Sequence, residues 1–154
     1  MRPFHRIKNL YHEIAFQNRE SQFIILIVFI LTIIITRTIT YLQLIHVLPN
    51  QMGPLHIHHM VPGIILALIT GYTGIAFWGK KKVRLISAFL FGIGAALTVD
   101  EFALWLFLRD VYWEREGRIS VEAILIVISV LILVFLINDV LLVHKRRHKS
   151  HHFT

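Results

Sequence analysis

Charged residues stand at matching depth inside two long apolar runs of this sequence: Arg37 in one run, and the adjacent acids Asp100 and Glu101 in another. An ionised side chain in hydrocarbon costs several kcal/mol, so such groups are kept where they are paired, hydrated or in use. Two acids beside one base suit either a metal with carboxylate ligands or a carboxyl whose hold on its proton is strengthened by burial. A second group, His56, His58 and His59, falls in the stretch PNQMGPLHIHHMVPG, with His46 a short way before it. Imidazole is the commonest neutral metal ligand, and zinc, iron, copper or nickel accept two or three histidines with a carboxylate. His56, His58, His59 and Asp100 are therefore the candidate metal ligands, zinc or iron being the expected divalent ion, with His46 in a secondary place. Neighbouring histidines cannot all point one way, however, and the same triplet suits a headgroup-level belt or the start of a helix around Pro62.

A third segment, DEFALWLFLRDVYWEREGRIS, begins with the two acids and mixes aromatic with charged residues. Trp105, Tyr112 and Trp113 fit an interfacial aromatic belt. Arg109 and Arg118, with Trp105, are candidates for holding an anionic substrate head by bidentate contacts. Gly117 is placed for a turn, Ser120 for capping a following helix, and Glu122 for its first turn, where it doubles as a secondary ligand candidate.

These residues must be positioned by a membrane protein. Of the 154 residues, 56% are apolar and 16% charged, a balance that argues against a water-soluble globule. Cysteine is absent, which removes disulfides, thiolate metal sites and cysteine nucleophiles. No signature for haem, flavin or nucleotide is present, and no Gly-x-Ser-x-Gly elbow supports a serine hydrolase. Apolar runs at 23–47, 60–79, 85–108 and 121–143 are each long enough to cross roughly 30 Å of hydrocarbon as a helix. Open sheets cannot satisfy their backbone in lipid, so the expected fold is all-α, a polytopic four-transmembrane-helix bundle. Residues 1–21 form a basic arm whose Phe4, Ile7, Leu10, Tyr11 and Ile14 recur at helical spacing, suiting either an amphipathic segment on the membrane surface or a helical lead-in to the first span. Residues 22–143 make the transmembrane domain, and 144–154 a basic tail.

Twelve of the sixteen Lys and Arg residues fall in the arm, in the turn from Lys80 to Arg84 and in the tail. By the positive-inside rule both termini are cytoplasmic, in a multi-pass protein of a cell membrane, and the histidines lie on the outer side. The same distribution accounts for the net charge of +7 without nucleic acid, and makes membrane lipids the expected partners of the tail. Short loops and basic tails suit a bacterial inner membrane. The apolar run of the first span outlasts a signal sequence and lacks a small-residue cleavage site, so it is expected to stay attached.

Small residues at four-residue spacing mark close helix contacts in membranes. One such stripe is Gly63, Ala67 and Gly71; the other is Ala88, Gly92 and Ala96, whose next member is Asp100, so Asp100 is aimed into the bundle. Glu101 lies about 100° further round, towards a cavity or a neighbouring helix. Arg37, sixteen residues past Ser21, and Asp100, fifteen past Leu85, stand roughly 24 and 22 Å into their spans. Equal depths predict that Arg37 pairs with Asp100, Glu101 or both. Thr36, Arg37, Thr40 and Gln43 share one face, which implies a polar, hydrated pocket.

On His56, His58 and His59, on Asp100 and Glu101, and on DVYWEREGRIS, the sequence resembles a group of bacterial four-helix integral membrane proteins with no assigned activity, over roughly residues 45–125. The resemblance implies that these segments form one site without naming its chemistry. The first functional expectation is a metal-dependent hydrolase acting on a lipid or other amphiphile at the outer leaflet. Glu101, Asp100 and Arg37 would be its catalytic residues. The alternatives are an ion- or proton-handling transport or sensing module, which with so few spans predicts a homo-oligomer, and a structural membrane partner.

Overall fold

Runs of Ile, Leu, Val and Phe with few glycines and no interior proline leave the backbone no partner in lipid but itself, and each apolar run accordingly closes into a helix. The computed structural model describes the backbone of residues 3–48, 58–108 and 115–150, and the side chains of 19–48, 58–108, 115 and 117–140. Among the described residues there are helices and turns and no strand. In chain order the helices are α1 (Pro3–Leu44), α2 (Met60–Ala76), α3 (Lys81–Asp100), α4 (Phe102–Phe107) and α5 (Arg118–Ser150), with a short 3-10 turn, Arg115–Gly117, before α5. Among the described residues, three segments are long and apolar enough to cross a membrane: Arg19–Leu44, Lys81–Asp100 and Arg118–Val140. The second expected span, α2, is an apolar helix of 17 residues, three short of the 20 expected for 60–79 because the chain turns at Phe77–Gly79.

Two other expectations are corrected. The span expected as one helix over 85–108 is broken at Glu101, where φ −103° and ψ 27° end α3 and α4 begins one residue later. Ser120 was expected to cap α5, but α5 starts earlier, at Arg118, and Ser120 lies inside it. Its buried hydroxyl instead accepts a 2.9 Å hydrogen bond from the backbone N–H of Ala103, satisfying one of the open donors in the first turn of α4. At the other end of the chain α1 is unbroken from Pro3, as a helical lead-in to the first span would be.

The two small-residue stripes serve different contacts. Gly63 and Gly94 bring α2 and α3 together: a Cβ added at Gly94 would lie 2.7 Å from the Ala67 nitrogen, and one at Gly63 would lie 2.8 Å from the Leu97 Cβ. Gly92 faces α1, against Val28 and the carbonyl of Ile25. Next to it Ala96 packs with Phe29 and Ile33 of α1 and Ile124 of α5 in the buried core. Lipid tails are as apolar as these side chains, so close packing rather than exclusion of water holds this interface.

Candidate functional site

The stripe that sets Ala96 against α1 carries Asp100 one turn further on, and its side chain is fully buried. The break that follows turns Glu101, 8% exposed, the other way, towards the start of α2. Arg37 reaches across from α1: its Nε donates to Asp100 Oδ1 at 2.5 Å, and its Nη2 donates to the Asp100 carbonyl at 3.2 Å. The opposite carboxylate oxygen, Oδ2, lies 3.1 Å from His59 Nε2. The other ring nitrogen of His59, Nδ1, stands 3.6 Å from Glu101 Oε1, an ionic contact beyond hydrogen-bond range. His58 Nδ1 meets the same Glu101 oxygen at 2.9 Å. Arg37, Asp100, His59, Glu101 and His58 thus form one continuous line of alternating basic groups and carboxylates.

Glu101 also performs a local structural task. His59, the residue before α2, contributes no side-chain cap. Instead Glu101 Oε2 accepts the backbone N–H of Met60 at 2.9 Å, so the carboxylate at the break between α3 and α4 sits at the positive end of the α2 dipole. The loop histidines and the intramembrane acids are thereby tied by one residue.

With both histidines neutral, Arg37, Asp100 and Glu101 sum to −1. One imidazolium makes the cluster neutral, and His59 is the ring placed to carry it, because both of its nitrogens face carboxylates. Partial burial opposes charge on His59, yet the hydrogen bond to Asp100 and the fields of Glu101 and Asp100 outweigh both that burial and the repulsion of Arg37. Its pKa is raised above the ordinary 6.5.

Of the candidate residues, Arg37, Asp100, Glu101, His58 and His59 are brought together. His46 is not: it follows the end of α1 at φ 59°, exposed, and no hydrogen bond or ion pair given for the described residues joins it to the cluster. Trp105 is 48% exposed and stands on the outer surface of α4. Arg118 and Glu122 are exposed and line, with Arg115 and Ile119, a separate cleft at the start of α5. His56 and Arg109 lie outside the described residues. The hydroxyls of Thr36 and Thr40, expected to line a pocket, return to the carbonyls of Ile33 and Thr36 in their own helix. The Met60 N–H was missed by sequence reasoning, since its role depends on where α2 begins; the Pro62 start signal places that boundary correctly but does not reveal its acceptor.

Among the described residues no three or more His, Asp or Glu side chains surround a common point as metal ligands would. His58 Nδ1 and His59 Nδ1 do approach the same Glu101 oxygen, and that is the place a metal with a further ligand would take. No protein-family model, no curated protein and no solved structure matches the chain, so the site is read from its own geometry.

Proposed function

We propose that this chain is an ion- or proton-handling membrane module whose working site is the line from Arg37 to His58. The observation that carries this reading is His59, held with one ring nitrogen on Asp100 and the other towards Glu101. Within that cluster a single proton separates a neutral state from a net negative one. In a low-dielectric setting that difference is large, so gain or loss of the proton changes how strongly α2 is held to α1 and α3. At Gly63 and Gly94, four residues past His59 and six before Asp100, the backbones of α2 and α3 meet closely, which favours a site that works at one end of the bundle. A sensing role, or transport shared between copies of a homo-oligomer, fits this better than conduction through one chain. In this reading α2 crosses the membrane as a fourth, thin span, within the accepted lower range of about 17 residues. The clusters of Lys and Arg hold both termini in the cytoplasm of a bacterial cell, and the site faces outward.

A metal-dependent enzyme acting on a lipid is the second reading, favoured by the convergence of both Nδ1 atoms on Glu101 Oε1. There the His59–Asp100 contact would be the carboxylate that orients a ligating imidazole. One experiment separates the two. The purified protein, beside a His56→Ala, His58→Ala, His59→Ala variant, is analysed for metals and then assayed for proton release on a pH jump in detergent. Proton handling predicts no stoichiometric metal and a release from the wild type that exceeds that of a His59→Gln variant by about one proton per chain. Near-stoichiometric zinc or iron, absent from the triple variant, would overturn it in favour of the metalloenzyme.

A further inference from the structure

A groove of ≈ 450 Å³ runs between α1 and α3 at the end opposite the His–carboxylate cluster, with Phe23, Ile24 and Ile27 on one wall and Leu85, Ile86 and Phe89 on the other. Its lining is apolar throughout, and its size falls in the roughly 300–1,000 Å³ range of ligand clefts. It extends over about one and a half helical turns, or roughly 8 Å, enough for the upper part of an acyl chain.

An apolar groove in a membrane is filled by lipid of some kind; its head decides which. Lys81 and Lys82 precede Leu85 and Ile86 by four residues, so they stand one turn above the groove on the same face of α3. Both are exposed. The Lys81 ammonium bridges the mouth to α1, lying 3.2 Å from each carboxylate oxygen of Glu20. Arg19, one turn above Phe23, is turned away to Asp139 of α5 at 3.0 Å. Two ammonium groups against one carboxylate leave the mouth with a surplus positive charge over an apolar slot.

We propose that this groove binds an anionic glycerophospholipid, one acyl chain lying between Ile27 and Phe89 and the phosphate resting against Lys81 and Lys82. The site is separate from the His–carboxylate cluster and does not depend on what that cluster does. It also differs from the diffuse attraction of the basic tail for anionic headgroups, because it has a fixed stoichiometry and an apolar wall.

The test is native mass spectrometry of the full chain, delipidated in detergent and then given phosphatidylglycerol or phosphatidylcholine with identical acyl chains. The expected result is one phosphatidylglycerol per chain, held about tenfold more strongly than phosphatidylcholine, since the surplus ammonium charge at the mouth attracts an anionic head more than a zwitterionic one. A Lys81→Gln, Lys82→Gln variant should lose that preference while its thermal unfolding stays near wild type, the Lys81 side chain being 64% exposed. Ile27→Trp, which fills the slot from the α1 side, should lower retention of both lipids. Neutralising the tail through Lys145→Gln, Arg146→Gln, Arg147→Gln and Lys149→Gln should leave the preference intact. Equal retention of the two lipids would overturn the proposal. So would a preference that survives the Lys81/Lys82 variant and vanishes with the tail charges, or a dimer of the chain that excludes lipid from the groove.

Discussion

The two ends of the bundle use polar residues in different ways. At the His–carboxylate end, Asp100 and Glu101 are each shared among several partners: Arg37 and His59 for the first, His58, His59 and the Met60 N–H for the second. At the other end the polar side chains that join helices do so in pairs, Arg19 with Asp139, Gln22 with Asn138, Glu20 with Lys81 and Thr73 with Ser87, and no two of these pairs share a residue. Shared acceptors in a buried place couple their partners, so losing one disturbs the rest; pairs with no residue in common add up more nearly independently. The first arrangement is suited to a switch and the second to positioning helices.

The largest expected departure comes from Asp100→Ala. It removes the buried carboxylate that Arg37 Nε and His59 Nε2 share, and should destabilise the protein by about 3 kcal/mol or more, measured by unfolding in mixed detergent. A loss under 1 kcal/mol would mean the cluster is hydrated and uncoupled, like the opposite end.

Next in size is Gly94→Ala, whose Cβ would come 2.7 Å from the Ala67 nitrogen and 2.8 Å from the Gly63 carbonyl. Backbone atoms cannot give way, so α2 must shift, at a cost of about 1–3 kcal/mol. Because α2 carries His58 and His59 at its start, the same variant should weaken the cluster, visible as altered histidine resonances in NMR. A change in stability with unchanged histidine signals would show that the two are independent.

A conditional effect follows from His59. Its folded pKa is raised, so the stability it lends is fully present below the ordinary imidazole value of 6.5 and is lost as pH rises through the raised folded value. The difference in unfolding temperature between wild type and His59→Gln should therefore be widest at mildly acidic pH and should narrow as pH rises. A gap that widens with rising pH has the wrong sign and would remove His59 as the proton carrier.

Smallest of all is Arg19→Gln. Its pair with Asp139 has side chains 41% and 36% exposed, so the loss should stay within about 1 kcal/mol and shrink further in added salt. A loss as large as that of Asp100→Ala would erase the contrast between the two ends.

Much of this arrangement was legible in the chain itself. Length and hydropathy dictate apolar helices, because lipid offers the backbone no other partner. The four-residue spacing of Ala88, Gly92, Ala96 and Asp100 aims Asp100 inward, and matched depths bring Arg37 level with Asp100 and Glu101, since helical rise converts sequence distance into depth; the structure selects Asp100. What the tertiary structure decided is everything that depends on where a helix stops. The break at Glu101 turns that carboxylate towards α2, and the early start of α5 leaves the Ser120 hydroxyl to accept the Ala103 N–H of α4 rather than to cap its own helix. It also decided which glycine meets which helix, Gly94 against α2 and Gly92 against α1. Periodicity gives the direction of a side chain about its own axis, but the neighbour found there depends on how the other helices are placed, and that is a property of packing rather than of local sequence.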